Sequence, residues 1–313
     1  MQRKTVHVAV GVIVNSNNQV LISKRAVNVH QGGLWEFPGG KVEPDEQIST
    51  ALCRELNEEL GIVVKSSSQL TTINHNYGDK SVCLHVYKIL EFTGKPVGNE
   101  GQQIRWCDVS GLGIDEFPAA NVSIINFLQL PDLIQITGNY SDLDELIKKT
   151  SSCITKGIKI IQFRAHDLDE SEFVLQARAM LELCRKHDVK LILNRTPDLL
   201  KIIDVDGIHL SRHEMRKYSK RPVEKNKLFS VSCHNDEELS LAKKLETDYC
   251  FLSPVKQAVS HDAGVEIGFD RFSDLSKKYN CPVYALGGMT ENDISAIQQH
   301  GGKGVAVISA NWE

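Results

Sequence analysis

The sequence predicts an α/β protein of two domains, in which a mixed α/β domain precedes a (β/α)8 barrel. Its 313 residues are more than one small domain usually needs. The pattern changes near residue 131, and from there short apolar runs alternate with helical stretches. We therefore predict one domain over residues 1–130 and a second over residues 131–313.

In the first domain, runs of β-branched and aromatic residues predict strands, and two stretches with helical periodicity predict helices. The predicted strands are "HVAVGVIV", "QVLISKR", "VCLHVYKI" and "IRWCDV". The predicted helices cover roughly residues 46–60 and 121–129. The first domain is therefore predicted to mix both kinds of element.

In the second domain, eight apolar runs, most of them separated by amphipathic helices, predict a parallel barrel. The runs are "LIQIT", "IKIIQF", "KLILN", "GIHL", "LFSVSC", "YCFLSP", "PVYALGG" and "GVAVIS". Only four residues follow the last run, so the barrel is predicted to lack its eighth helix.

Composition and charge narrow the class of protein. The net charge of −4 comes without any basic block, which argues against nucleic acid polymer as a partner. Eight scattered cysteines, none in C-x-x-C or beside a histidine pair at zinc spacing, indicate buried free thiols in a reducing compartment rather than a disulfide or zinc framework. No run of about 18 uncharged apolar residues is present, so we expect no membrane span and a cytoplasmic location.

One predicted helix carries crowded acidic residues at Glu55, Glu58 and Glu59. Like charges this close repel one another, and two of them lie at the edge of an apolar stripe. Converging carboxylates suit a hard divalent cation, whereas a solvated acidic face is the alternative. Gly39 and Gly40, just before the helix, allow the backbone to approach a ligand closely. The stripe consists of Ile48, Leu52, Leu56 and Leu60.

The spacing in "GGKVEPDEQISTALCRELNEELGI" distinguishes these alternatives. From Gly40 onward it matches G-x5-E-x7-R-E-U-x-E-E-x-G-U, and the chain thereby resembles the Nudix hydrolases. The resemblance implies an α/β/α sandwich that splits nucleoside diphosphates linked to another moiety, using Mg²⁺ or Mn²⁺. It assigns catalytic roles to Arg54, Glu55 and Glu58, with Glu46 and Arg54 as orienting residues. The implied metal ligands are the Gly39 carbonyl, Glu55, Glu58 and Glu59.

Further stretches resemble the MutT branch, whose members hydrolyse 8-oxo-dGTP: "VAVGVIVNSNNQVLISKRA", "LWEFPGGK", "NEGQQIRWCDVSGL" and "DEFPAAN". The resemblance implies that Glu100 is a further metal ligand or base, and that Asn121 and Arg25 contact the purine. Phe37 and Tyr77 would form apolar walls for the base. The alternatives are a helix N-cap for Asn121, a surface charge for Arg25, a strand aromatic for Tyr77 and a solvated acid for Glu100.

The second domain resembles the thiamine-phosphate synthase and TenI family of barrels through "IIQFRAH", "LILNR", "DGIHLSRHEM", "SVSCHNDEEL", "SPVKQAVSH", "ALGGM" and "GVAVIS". The resemblance implies a phosphate-bearing ligand, held by Gly287, Gly288 and Ser309. Arg164 and Asn194 also match family positions.

Four departures from the family pattern lie at its cation- and metal-binding positions. The R-E-K element ends in His166, the N-D pair ends in Arg195, the second metal-binding aspartate is replaced by Glu214, and the T-x-T-K run reads "AVSH" at 258–261. A reaction that releases pyrophosphate needs those cations and metal ligands, so synthase activity is not expected. The same departures argue less strongly against a TenI-like tautomerisation than against the synthase reaction. His209, His234 and His261 are candidate acid/base groups or hydrogen-bonded structural residues.

The sequence leaves three functional hypotheses open. The first is hydrolysis of 8-oxo-dGTP by the first domain, and the second is hydrolysis of a thiamine-pathway pyrophosphate at the same site. The third treats the barrel as a ligand-binding module that regulates the hydrolase. The sequence makes no prediction of the oligomeric state.

Overall fold

The computed structural model describes residues 5–257, 265–279 and 281–313. It divides into two compact units, Met1–Gln129 and Leu130–Glu313. Each unit has apolar clusters of its own.

The first unit contains two sheets and two α-helices. Its strands are β1 (Thr5–Ile13), β2 (Gln19–Lys24), β3 (Trp35–Glu36), β4 (Gly39–Lys41), β5 (Val63–Asn76), β6 (Ser81–Thr93) and β7 (Ile104–Asp108). The helices are α1 (Ile48–Leu60) and α2 (Ala119–Gln129), with short 3-10 turns at Val109–Gly111 and Ile114–Glu116. The sheets have the strand orders β4-β1-β6-β5 and β3-β2-β7, and β1 runs parallel to β6.

Helix α1 forms where the apolar stripe predicts it. Leu52, Leu56 and Leu60 are buried, whereas Ile48 at the start of the helix is only partly buried. The helix ends at Gly61, whose left-handed backbone lets its N–H bond to the Asn57 carbonyl. Gly11 of β1 admits the helix closely, since a Cβ there would lie 2.8 Å from Leu56 Cδ1. The helix is thereby fixed on one face of the four-stranded sheet.

Strand β5 was not predicted from the sequence. Its polar run, "VVKSSSQLTTINHN", is largely exposed, with Ile73 as its one fully buried side chain. The strand exists because it pairs with β6 along almost its whole length, through several register shifts. Pairing with a neighbouring strand, rather than an apolar pattern, determines this element.

The second unit is a closed barrel of parallel strands. They are β8 (Leu133–Ile136), β9 (Ile160–Phe163), β10 (Lys190–Leu193), β11 (Gly207–Leu210), β12 (Leu228–Cys233), β13 (Tyr249–Leu252), β14 (Val283–Ala285) and β15 (Gly304–Val307). Each lies in one of the predicted apolar runs, and pairing of β15 with β8 closes the ring. The barrel prediction is confirmed.

Helices of unequal length connect these strands. They are α3 (Leu143–Thr155), α4 (Glu170–Lys186), α5 (Arg212–Met215), α6 (Asp236–Lys244), α7 (Gly268–Ser276) and α8 (Ile294–Gln299), with 3-10 turns at Pro197–Lys201 and Glu291–Asp293. As predicted, no helix follows β15 in the described chain. Trp312 is buried there instead: its ring lies against Gly138, and its Nε1 donates to the Asn139 carbonyl at 2.9 Å.

No helix among the described residues has the length and apolar character needed to cross a membrane. All eight cysteines are free thiols, as the sequence predicts, but not all are buried: Cys53 is exposed, and Cys107 and Cys281 are partly buried.

Candidate functional site

The two glycines before α1 bring the backbone against the helix carboxylates. Gly39 has a φ of 141°, a conformation that side-chain-bearing residues rarely adopt, and its N–H donates to Glu59 Oε2 at 3.0 Å. Gly40 pairs with Ala9 of β1, and a Cβ on Gly40 would overlap the carboxylate of Glu55. The start of β4, which we call the glycine loop (Gly39 and Gly40), therefore seats Glu55 and Glu59 because these two residues carry no side chains.

Arg54 connects the carboxylates to one another. Its guanidinium donates to Glu55 at 2.9 Å and to Glu58 at 3.1 Å, and the latter is an i,i+4 pair on the helix. The same group donates to both oxygens of Glu46 and to the Lys41 carbonyl. These bonds raise the pKa of Arg54 further, chiefly through the hydrogen bond to Glu46.

The electrostatics of this cluster fit a divalent cation. Burial, followed by the charges of Glu36, Glu100 and Glu55, raises the pKa of Glu59 to about 8 despite its bond from Gly39. Burial likewise raises the pKa of Glu55, with Arg54 opposing the shift. Carboxylates held together at this cost are typical of a site where a hard cation compensates their charge.

Glu100 reaches the cluster through a loop that is tied to the end of α1. The Glu100 N–H donates to Gln102 Oε1, and Gln102 Nε2 donates to the Glu59 carbonyl, both at 2.9 Å. The Asn99 N–H donates to the same carbonyl at 3.0 Å. The charges of Glu58 and Glu100 act on the Glu55 carboxyl, and that of Glu100 acts on Glu59 as well, so the structure places these four carboxylates and Gly39 in one region of the unit.

Glu36 is a member of the cluster that sequence reasoning missed. Its carboxylate pairs with the guanidinium of Arg25, and Arg25 also donates to the His30 carbonyl at 2.9 Å from Nη2. Burial raises the pKa of Glu36, although Arg25 opposes the shift. Glu36 precedes Gly39 in the same short segment, and that proximity to the glycine loop was the available signal. Arg25 thus engages two protein groups, the Glu36 carboxylate and the His30 carbonyl.

Tyr77 and Asn121 lie near each other. The Tyr77 hydroxyl accepts the Ala120 N–H at 3.3 Å, one residue before Asn121. Asn121 is buried in the first turn of α2, inside the helix rather than at its N-cap, so the capping alternative is wrong. Phe37 is 2% exposed and stacks on Phe117 within the core, so its role as an apolar wall for the base stays a prediction.

In the barrel, Gly287 and Gly288 follow β14 with φ angles of 94° and 63°. A Cβ at Gly288 would lie 2.6 Å from the Gln257 carbonyl oxygen, so this turn requires glycine. Lys256, which the sequence analysis did not single out, donates its N–H to the Gly287 carbonyl at 3.2 Å and its Nζ to Asp293 at 2.6 Å. Ser309 follows β15, the next strand of the ring.

Two residues that depart from the family pattern, Arg195 and His166, contact other groups of the barrel. Arg195 donates to the Ala165 and Leu168 carbonyls at 2.6 and 3.0 Å, and it lies over the ring of Phe173. His166 accepts from Arg164 Nε at 3.0 Å. Burial and the neighbouring Arg164 lower the pKa of His166.

The candidate acid/base histidines have structural contacts. His209 is buried between the hydroxyls of Ser230 and Ser232, each 2.8 Å from a ring nitrogen. Nδ1 of His234 donates to the Ser253 carbonyl at 2.7 Å. The run 258–261, with His261, lies outside the described residues. Glu214, another residue that departs from the family pattern, accepts a hydrogen bond at Oε1 from Lys217 Nζ at 2.8 Å.

The first unit carries glutamates and an arginine around Gly39 and Gly40, and the second unit is a closed barrel. Together these features define a Nudix hydrolase joined to a thiamine-phosphate synthase-like domain. The family model of the NUDIX domain matches residues 9–127 of the sequence, and the family model of thiamine monophosphate synthase matches residues 133–310. The chain belongs to both families, each through one of its units.

Named relatives resemble the two units separately. The 8-oxo-dGTP diphosphatase of Escherichia coli (strain K12) is 38% identical over 122 residues, which are 39% of this chain and 95% of that protein. A protein of Aquifex aeolicus (strain VF5), assigned as a thiamine-phosphate synthase, is 30% identical over 58% of this chain and 98% of its own length. A thiamine-phosphate synthase of Prochlorococcus marinus is 28% identical over 53% of this chain, which spans 48% of that protein's length.

Proposed function

We propose that the first unit hydrolyses 8-oxo-dGTP to 8-oxo-dGMP and pyrophosphate, with Mg²⁺ or Mn²⁺ as cofactor. The observation that carries the proposal is the arrangement of Glu55 and Glu59 at the glycine loop, tied to Glu58 through Arg54. The similarity to the Escherichia coli diphosphatase supports the choice of substrate. Hydrolysis of this oxidised nucleotide would keep a miscoding precursor out of replication, and the free thiols fit a cytoplasmic location.

The proposed cation would be held by Glu55, Glu58, Glu59 and Glu100 with the Gly39 carbonyl, and it would supply charge for phosphate binding and water activation. Arg54 positions Glu55 and Glu58, since it donates to both. Glu46 in turn fixes the plane of the Arg54 guanidinium by accepting from two of its nitrogens. These residues are therefore oriented before the substrate binds.

Recognition of the base is proposed for the region of Tyr77, Asn121 and Arg25. An asparagine amide can donate to and accept from a purine edge at once. The neighbouring Tyr77 is partly exposed and lies edge-on to His75 and His30, with ring centroids 4.4 and 5.0 Å away. It therefore offers an aromatic edge beside Asn121.

The first experiment measures pyrophosphate release from 8-oxo-dGTP and from dGTP with Mg²⁺, using the full chain. Glu55→Gln serves as the blank because it keeps the shape of the side chain and removes its charge. Glu91→Gln, at an exposed position on β6, is the matched control. Preference for the oxidised nucleotide that is lost in Glu55→Gln and kept in Glu91→Gln is the expected result.

Two outcomes would contradict the proposal in different ways. Turnover that depends on Glu55 but shows no preference for the oxidised base would reject the substrate and direct the search to thiamine-pathway pyrophosphates. Equal turnover by Glu55→Gln and the unaltered chain would reject the site itself.

For the second unit we propose binding of a phosphate-bearing ligand at Gly287, Gly288 and Ser309, with Lys256 as a nearby cation, and no synthase reaction. Arg195, which is bonded to backbone carbonyls, and His166, whose pKa is lowered, support the absence of a metal-dependent reaction, because neither matches the metal ligand or lysine that the family pattern has there. A module that senses such a ligand would let the barrel regulate the hydrolase.

Titration calorimetry of the full chain with inorganic phosphate tests the barrel proposal. Lys256→Met should weaken phosphate binding about 10-fold or more, whereas Lys186→Met on the exposed face of α4 should not. Equal phosphate binding by the two variants would argue against the site. Formation of thiamine phosphate by the purified chain would overturn the absence of synthase activity.

A further inference from the structure

A second group of metal-ligating side chains lies in the first unit, away from the glutamates. In the parallel pairing of β1 with β6, His7 lies opposite Cys83, and Ala9 lies opposite His85. Side chains two residues apart on one strand share a face of the sheet, so those of Cys83 and His85 project to the same side. Among the described residues, His7, Cys83 and His85 form the one group of His, Cys or acidic side chains whose ligand atoms lie within 4.8 Å of one another.

The distances within this group are those of ligands around one small cation. His7 Nδ1 lies 3.0 Å from His85 Nε2, and Cys83 Sγ lies 3.5 Å from the same nitrogen. Two nitrogens bound to one tetrahedral Zn²⁺ would be roughly 3.3 Å apart, and a nitrogen and a sulfur about 3.6 Å apart. Little movement would therefore be needed to seat an ion between the three atoms.

The donor set selects a different ion from the one proposed for the glutamates. One thiolate and two imidazoles favour borderline transition metals such as Zn²⁺, whereas Mg²⁺ prefers carboxylate, carbonyl and water oxygens. Cys83 is 5% exposed while His7 is exposed, so the group has a dry side and a path of entry from solvent. We propose that His7, Cys83 and His85 form a binding site for a Zn²⁺-class transition-metal ion.

The position of the group gives such an ion a structural role. His7 belongs to the strand that begins the unit, and the other two ligands belong to its neighbour, so an ion bound by all three would join β1 to β6. An ion that binds the folded unit alone stabilises it by mass action. The cysteine would give its proton to solvent and bind as the thiolate.

Three paired residues on neighbouring strands connect this group to the glycine loop beside Glu55. They are His85 of β6, Ala9 of β1 and Gly40 of β4. Two strand spacings place the backbones of Gly40 and His85 roughly 10 Å apart. The two metal sites would therefore be separate but would share the face of the sheet on which α1 lies.

Sequence spacing gave no sign of this site. Cys83 and His85 form only a C-x-H pair, and His7 lies 76 residues before Cys83, so the expectation of no zinc framework followed from spacing alone. The parallel pairing of β1 with β6 supplies the third ligand.

The test titrates the full chain with Zn²⁺ in excess Mg²⁺, so that the glutamates are already saturated with the hard cation. Cys83→Ser and His85→Gln each remove one proposed ligand. The control variant combines Cys53→Ser with His213→Asn, which removes an exposed thiol and an exposed imidazole elsewhere. Co²⁺ is the spectroscopic probe, because a bound thiolate gives a charge-transfer band in the near ultraviolet.

The expected result is one high-affinity Zn²⁺ per chain and a thiolate–Co²⁺ band. Both are retained by the control variant. Each ligand variant should bind Zn²⁺ about 10-fold or more weakly, and Cys83→Ser should lose the Co²⁺ band. Zn²⁺ affinity that is unchanged by either ligand substitution, or a Co²⁺ complex without a thiolate band, would overturn the proposal. Circular dichroism of each variant verifies that the fold is kept.

Discussion

The guanidinium of Arg54 donates to both carboxylate oxygens of Glu46, from Nε to Oε1 at 3.0 Å and from Nη2 to Oε2 at 2.9 Å. A planar fork can make this paired contact, whereas an ammonium group cannot. The remaining Nη1 is then aimed at Glu55 and Glu58. Glu46 lies before the helix begins, so this contact fixes the arginine from outside α1.

The first prediction follows from that contact. Arg54→Lys keeps the charge but loses the fork, so Glu55 and Glu58 should lose their shared orientation. We expect kcat for 8-oxo-dGTP to fall about 10- to 100-fold, with little change in the melting temperature. Arg185→Lys, at an exposed ion pair of the barrel, is the control. Equal kcat for the two variants would show that Arg54 acts only as a charge.

The second prediction concerns Gly40. An added methyl group would overlap the Glu55 carboxylate, which is the free end of a flexible side chain and can swing away. Gly40→Ala should therefore fold normally and lose most of its activity, about 100-fold in kcat. Gly113→Ala is the control, because a methyl group there meets Glu116 Oε1 at an ordinary 3.6 Å. A large loss of stability with full activity per folded molecule would contradict this reading.

The third prediction separates the candidate substrates. Asn121→Ala should raise KM for 8-oxo-dGTP by about 5- to 150-fold, the equivalent of roughly 1–3 kcal/mol for one bidentate base contact. KM for a thiamine-pathway pyrophosphate should barely change. Steady-state kinetics beside Asn17→Ala, in an exposed turn, provide the comparison. An equal increase in KM for both substrates would indicate that Asn121 acts on the fold of the site rather than on the base.

The fourth prediction concerns the pH dependence of barrel stability. Burial, together with the charge of Arg164, lowers the pKa of His209 from 6.5 to about 3. The unfolded chain therefore binds the proton more readily, so the contribution to stability is complete above pH 6.5 and is lost as pH falls toward 3. The loss should be on the order of a few kcal/mol.

Urea unfolding between pH 7 and pH 4 measures this effect. In a Trp35→Phe/Trp106→Phe background, Trp312 is the only tryptophan left and reports on the barrel. His209→Gln should be less stable at pH 7 but should show a flatter dependence on pH. Parallel pH profiles for the two chains would exclude His209 as the source.

The fifth prediction concerns Trp312, which is buried after the last strand of the barrel. Trp312→Ala should destabilise the barrel by about 3–5 kcal/mol, because it empties a buried space against Gly138 and removes the bond to the Asn139 carbonyl. Hydrolysis by the first unit should be unaffected. Trp106→Ala, at a residue that is 37% exposed, should leave the barrel unchanged. Equal barrel stability for the two variants would reject the role of Trp312.

How far sequence predicts this structure depends on whether the determining contact is local. The barrel strands and α1 were predictable, because their apolar patterns follow the geometry of one element. Strand β5 was not, since its polar residues are ordered by a partner strand. Glu36 and the pair of Tyr77 with Asn121 depend on contacts between distant segments, which no periodicity encodes.

The resemblance to the Nudix hydrolases identified some site residues that periodicity could not. It named Glu55, Glu58 and Glu59, which the structure places on one helix beside the glycine loop. It did not indicate that Phe37 would be buried against Phe117, because burial depends on packing rather than on motif.

The closure of the barrel by β15 and β8 imposes an order on synthesis. The contacts of the first unit are complete once residue 129 has been made, so this unit can fold while the ribosome is still translating. Strand β8 is made next but must wait about 170 residues for its partner, roughly 10 to 30 s at ordinary elongation rates. During that interval the edge of β8 is exposed, and a nascent chain with an open parallel sheet is the species that chaperones would protect.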